Sequence, residues 1–190
     1  MFFAFRLADA LPKAFLDRWE AWRTRLSLRH GVDPQAMDWP NRLRNASPQA
    51  LAAYRRRRSL GMLAALDRGH GSCVLREPRA ADAVIEALRH PDGVKWDLAV
   101  ALVMPNHVHG IAAARPGFAL PATLAHAKRY STGVINRGLG RTGRLWQREG
   151  FDHLIRNAAA YERTLAYIRA NPRKLPPGSF RLWEAPPTEP

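Results

Sequence analysis

The chain has 190 residues, 46% of them hydrophobic, which is enough apolar material for one compact domain with a real core. Its formal charge is +14, and because only Lys13, Lys95, Lys128 and Lys174 are lysines, 26 of its 30 basic residues are arginine, so a polyanion such as nucleic acid is the expected partner. A single cysteine, Cys73, excludes an internal disulfide and a cysteine-based zinc cluster, and the longest apolar run, Leu98 to Met104, is far below the roughly 18 residues of a membrane span.

The apolar opening, Phe2 to Leu7, reads as a strand and is too short for a signal peptide, so a soluble, cytoplasmic protein is expected. From Pro12 to about Arg29, Phe15, Leu16, Trp19, Trp22 and Leu26 recur at helical spacing in a basic, amphipathic segment. Gly31 to Ser47, with Pro34 and Pro40, reads as loop, after which Ser47 caps a helix with Pro48 in its first turn that runs to about Leu66. Within it, Arg55 to Arg58 read either as a solvated helix face or as a phosphate track. Gly71 to Leu75 is expected as a short strand and Pro78 to about Leu88 as a helix. Lys95 to Val103 and His107 to Ala113 read as strands, and the short turn Met104-Pro105-Asn106 forces them antiparallel. Leu120 to Leu139 is helical and Leu145 to Ile155 extended; Asn157 caps a last helix over Ala158 to Asn171, stopped by Pro172. Residues 1–175 are thus expected as one α+β domain and residues 176–190 as a loosely ordered, proline-rich tail.

Four residues carry candidate chemistry. On a strand, side chains alternate, so His107 and His109 point to one face and can converge on a cation, although such a pair equally fits satisfied core histidines. On the last helix, Tyr161, Leu165 and Ile168 form the apolar stripe, while Tyr167 lies off it and Asn171 follows one turn later. An asparagine amide can complete a two-histidine site and a tyrosine can present its hydroxyl to a bound phosphate; the alternative is a surface tyrosine and a helix-ending asparagine.

Four motifs, Met104-Pro105-Asn106-His107-Val108-His109, Leu145-Trp146-Gln147-Arg148-Glu149, Asp152-His153-Leu154-Ile155-Arg156 and Tyr167-Ile168-Arg169-Ala170-Asn171-Pro172-Arg173-Lys174, occur in the order that resembles a REP-associated tyrosine transposase. These are single-tyrosine HUH transposases, and the resemblance runs from about Phe2 to Lys174. It implies a ferredoxin-like α+β sandwich whose central antiparallel sheet carries the histidines, with His107, His109 and Asn171 as ligands of Mg²⁺ or Mn²⁺ and Tyr167 as nucleophile. It further implies nicking and strand transfer on single-stranded DNA with hairpin-forming, repetitive extragenic palindrome-like structure, through a 5′-phosphotyrosine, by a monomer. Arg6, Lys128, Arg148, Arg156 and Lys174, in or beside these motifs, are the expected DNA contacts.

The sequence departs from that pattern at Gly150, where a bulky aromatic is usual, and at Gly110, where an aliphatic is usual and whose absence is expected to loosen the strand beside the metal. Tyr130 and Tyr161, the rival nucleophiles, read as core residues, Tyr54 as surface or packing, and His126 as helix surface; Asp152 and His153 are candidates for hydrogen bonds near the site. Trp146 reads equally as a base-stacking or a buried residue. A catalytically silent, domesticated nucleic-acid-binding protein is the alternative, and a zinc hydrolase is disfavoured because no glutamate stands at helical spacing from the histidines.

Overall fold

The computed structural model describes residues 1–148 and 150–186; Glu149 of the second motif and the last four residues of the expected tail lie outside them. The described residues form two compact units, one made of Met1–Ala10 and Gly71 onward, the other of Leu11–His70.

The first unit is an α+β layer structure, as its alternating apolar pattern requires. Strands β1 (Phe2–Arg6), β2 (Trp96–Val103), β3 (His107–Ala114), β4 (Phe151–His153) and β5 (Arg181–Glu184) form one antiparallel sheet in the order β4-β1-β3-β2-β5. Because β3 is central and pairs Ala4 with His109 on one side and Leu102 with His109 on the other, its side chains are enclosed by strands on both edges. A bulge between Leu98 and Val100 shifts the register of β2 by one residue.

Helices α4 (Pro78–Arg89) and α5 (Leu120–Gly138) belong to one face of this sheet, where Phe3, Phe5, Trp96 and Val108 are buried. Trp96 donates its indole N–H to the Leu88 carbonyl at 3.2 Å, and the Phe3 and Trp96 rings stack at 5.8 Å. Helix α6 (Ala158–Ala170) covers the other face: its Ile168 is fully buried among Phe2, Val100, Leu102, Met104 and Ile111, with Tyr161 and Leu165 packed alongside. Asn157 caps α6 as expected, its Oδ1 accepting the Ala160 N–H at 2.8 Å. Past Ala170 the chain tightens into a 3-10 turn over Asn171–Lys174, because Pro172 has no N–H with which to continue the α-helical ladder.

Two expectations for this unit change. Gly71 to Leu75 forms no strand: Cys73 adopts φ 49°, which breaks an extended run, and Val74–Arg76 is a 3-10 turn. The expected loose tail contains β5, whose four residues between Phe180 and Ala185 pair with β2, and Arg169 of α6 holds Glu184 there through two hydrogen bonds of 2.8 and 2.7 Å.

The second unit is helical: α1 (Lys13–Arg29), α2 (Trp39–Ala46) and α3 (Pro48–Leu66). Ser47 caps α3, accepting the Ala50 N–H at 3.1 Å. α2 lies in the segment read as loop; Pro40 sits in its first turn, where the missing N–H costs nothing, and only Leu43 is buried. Tyr54 is 6% exposed, packed with Trp19, Trp22 and Trp39 over Leu43 and Leu51.

Candidate nucleophile and metal site

The pleat of β3 sends His107, His109 and Ile111 to the α6 face and Val108, Gly110 and Ala112 to the other. His107 and His109 are 1% and 0% exposed, their ring centroids 4.6 Å apart and nearly perpendicular at 81°. Phe2 of β1 stacks on His109 at 5.6 Å, and from α6 the Tyr167 ring meets the same imidazole edge-on at 5.6 Å. The helix and the strand therefore bring Tyr167 and His109 into contact although 58 residues separate them in the chain. Tyr167 remains 37% exposed, so one side of it is open to a ligand from solvent.

Burial decides the protonation of the pair. Removed from water, the His107 imidazole is pushed down to about pKa 4, and burial, with the neighbouring His107 adding to it, holds His109 well below its ordinary range. Both rings are neutral near pH 7, the form in which imidazole offers a lone pair to a metal. Asn106, 1% exposed, places its Oδ1 2.7 Å from His107 Nδ1; since an amide oxygen only accepts, Nδ1 carries the proton and Nε2 keeps its lone pair. The sequence assigns Asn106 to the turn and to the first motif but gives it no role at the site, although its place directly before the histidine is the available signal.

His107 Nε2, both ring nitrogens of His109 and the amide nitrogen of Asn171 are buried without a hydrogen-bond partner. Each such orphan costs about 1–3 kcal/mol, a cost a folded protein escapes if a ligand completes the group. Two lone-pair-bearing imidazoles fit a divalent cation, and turning the Asn171 amide over would offer its oxygen in place of its nitrogen. Among the described residues no group of three or more His, Cys, Asp or Glu could hold a metal ion, and Asn171 is the candidate of another kind.

The expected DNA-contacting residues are placed unequally. Arg148, Arg156 and Lys174 are exposed, and Arg156 lines an open cleft of about 460 Å³ with Ile111, Ile155 and Tyr161. Arg6 is 8% exposed and pairs in register with His107, its guanidinium donating to the Leu7 carbonyl at 3.3 Å. Lys128 lies on α5, the helix on the face away from the histidines, and donates to the carbonyls of Gln147 and Arg148 at 2.6 and 3.1 Å; burial lowers its pKa.

Of the other residues singled out, Tyr161 packs on the apolar cluster under α6 as expected. Tyr130 does not join the core: it is 51% exposed, with its hydroxyl 3.5 Å from Glu86, because it lies at the margin of the α5 stripe. Trp146 takes the buried role, edge-on to Phe5 at 4.8 Å and donating to Ser131 Oγ at 3.0 Å. His126 is exposed beside Arg129, and Asp152 and His153 are exposed on β4. Gly110 does not loosen β3: the fully buried Phe3 ring lies directly over it, and a Cβ there would stand 2.3 Å from Phe3 Cζ. The neighbouring strand's aromatic fills the place an aliphatic side chain would take.

No protein-family model matches the chain, and no curated protein matches it. Among solved structures, one of a REP-associated tyrosine transposase bound to a REP hairpin is similar, with 16% identity and a TM-score of 0.42. The match covers 91% of this chain and 66% of that one, so the chain spans less than two thirds of that protein's length. At this identity and score the likeness decides neither the family nor the chemistry. No helix among the described residues is long and apolar enough to cross a membrane.

Proposed function

We propose that the protein nicks and rejoins single-stranded DNA with hairpin structure, with Tyr167 as the nucleophile. The observation that carries the reading is the contact of a part-exposed tyrosine with His109, one of two neutral, buried histidines that between them leave His107 Nε2 and both His109 ring nitrogens without partners. A bound cation would complete those atoms, which burial otherwise leaves unpaired at a cost. The order of the four sequence motifs, which resembles that of tyrosine HUH transposases, supports the same assignment.

His107, His109 and Asn171 would hold Mg²⁺ or Mn²⁺, which supplies Lewis acidity by withdrawing charge from the scissile phosphate. The rest belongs to the chain. Tyr167 Oη attacks phosphorus, the bond from phosphorus to O3′ breaks, and the phenolic proton is balanced by the proton the departing 3′-oxygen gains. The products are a 5′-phosphotyrosine and a free 3′-hydroxyl, and attack by a DNA 3′-hydroxyl reverses the bond change and joins strands. No nucleotide cofactor is needed because the phosphodiester's bond energy is retained in the tyrosyl ester. Asn106 fixes the His107 tautomer, the hydrophobic cover of Phe2 and Ile168 keeps water from the rings, and Arg148, Arg156 and Lys174 supply exposed positive charge for the strand.

The test is a denaturant-resistant adduct between the protein and labelled single-stranded hairpin DNA in Mn²⁺. Wild type should form it, and Tyr167→Phe should lose it while still binding the DNA. An adduct that survives Tyr167→Phe overturns the nucleophile assignment, and metal-independent binding by wild type with no adduct in any metal favours a silent binding protein.

A further inference from the structure

The helical unit Leu11–His70 holds twelve basic and five acidic residues, a net +7 of the chain's +14 in fewer than a third of its residues. Most of its acids are already committed. Asp17 pairs with Lys13, Glu20 with Arg23 and Asp38 with Arg42, while Asp33 accepts the Gln35 N–H. Arg18, Arg25 and Arg29, all exposed, have no ion pair among the described residues.

These three arginines are spaced seven and four apart on α1, which sets them on one stripe about 16 Å long. Trp22 lies within one or two turns of each, and the exposed Arg57 of α3 stands over the Trp22 ring at 4.6 Å, bringing a fourth guanidinium to the stripe. Four like charges around one half-buried indole repel each other, and nothing in the unit neutralises them.

The geometry points to a backbone-binding surface for duplex DNA on this face of α1, formed by Arg18, Arg25, Arg29 and Arg57. Single strands are gripped by aromatic platforms on which bases stack. Here every aromatic of the unit is occupied: Phe15, Trp19, Trp22, Trp39 and Tyr54 pack in a chain of ring contacts, none is more than partly exposed, and Arg57 covers Trp22. A rigid row of guanidiniums without stacking faces suits the regular phosphates of a double helix, to which arginine binds without reading sequence. The choice of DNA over RNA rests on the proposed hairpin substrate; the cationic stripe does not, and it needs no metal and no cleavage.

The experiment uses the full chain in the absence of metal, with labelled DNA duplex, RNA duplex and oligo-dT, each of roughly 20 nucleotides per strand, titrated across a salt series. Arg18→Gln/Arg25→Gln/Arg29→Gln should weaken DNA-duplex binding by about 10- to 100-fold at 0.1 M salt and reduce the log–log salt slope by about 2 to 3. Oligo-dT and RNA duplex should lose less. The triple lysine variant should keep slope and affinity near wild type, and both variants should melt as wild type does, which separates lost charge from lost fold. Wild-type slope and affinity in the glutamine variant overturn the surface. Equal losses on oligo-dT or on RNA overturn its assignment to duplex DNA, and an equal loss in the lysine variant overturns phosphate binding by charge. Because no adduct is scored, the outcome is independent of whether Tyr167 is a nucleophile.

Discussion

On the α4 and α5 face of the sheet, Phe3, Phe5, Trp96 and Trp146 interlock, and the two indoles each place their N–H on an oxygen. On the α6 face, the equally buried His107 and His109 carry ring atoms that have nothing to bond, as does the amide nitrogen of the partly buried Asn171. Among the described residues of this unit, every buried side-chain nitrogen or oxygen without a partner belongs to those three. One sheet thus separates a face whose buried indoles are both paired from a face that leaves buried ring nitrogens unpaired, a division that only tertiary contacts reveal.

The comparison can be broken most directly at His109. His109→Leu should abolish Mn²⁺ binding and the DNA adduct, yet raise stability by about 1–2 kcal/mol by removing buried polar atoms that lack partners. Titration with Mn²⁺ and a melting curve check both halves; a lower melting temperature would show the imidazole to be a satisfied structural residue. On the opposite face Gly110→Val should do the reverse, costing about 1–3 kcal/mol because the Phe3 ring occupies the space, while any folded fraction keeps its metal binding. Urea unfolding measures that cost, and a neutral result would mean Phe3 does not hold its place over β3.

A gentler probe is pH. Since His107 titrates at about 4 when folded and near 6.5 when unfolded, the unfolded chain binds the proton first. Stability is therefore fully present above about pH 6.5 and falls as pH drops, by at most about 1.4 kcal/mol per pH unit for each histidine. His107's share is spent by about pH 4, and His109, also held well below its ordinary range by burial, adds to the loss on the acid side of 6.5. Urea unfolding between pH 7 and 4 should lose much of this slope in a His107→Gln/His109→Gln variant; an undiminished slope would place the cause elsewhere.

Much of the sheet unit was legible because its signals are local. The alternation around His107 and His109, the short turn at Met104-Pro105-Asn106 and the cap Asn157 each act within a few residues, as the cap Ser47 does in the helical unit, and each has the expected consequence. What escaped depended on distant parts of the chain. The strand Arg181–Glu184 has prolines on both sides and gains its pairing from β2 and its anchors from Arg169, Asp82 and Arg89, all distant in the chain. The first turn of Trp39–Ala46 tolerates Pro40, which in isolation signals a loop. Gly110 looked like a weakness until Phe3, its partner across the ladder, proved to fill the gap. At the site, the spacing of Tyr167 from the helix stripe was readable, but its contact with His109 was not, nor was the lack of partners on the rings.

The irregularity at Ala99 has a wider consequence. Trp96 and Leu98 serve the layer beneath α4 and α5, whereas Val100 and Leu102, the same parity in the sequence, serve the layer beneath α6. The extra residue works as a phase shifter, letting one continuous oily strand feed two separate interiors. Losing a single residue there would exchange the allegiance of one half of the strand, so its length is under as much constraint as its composition.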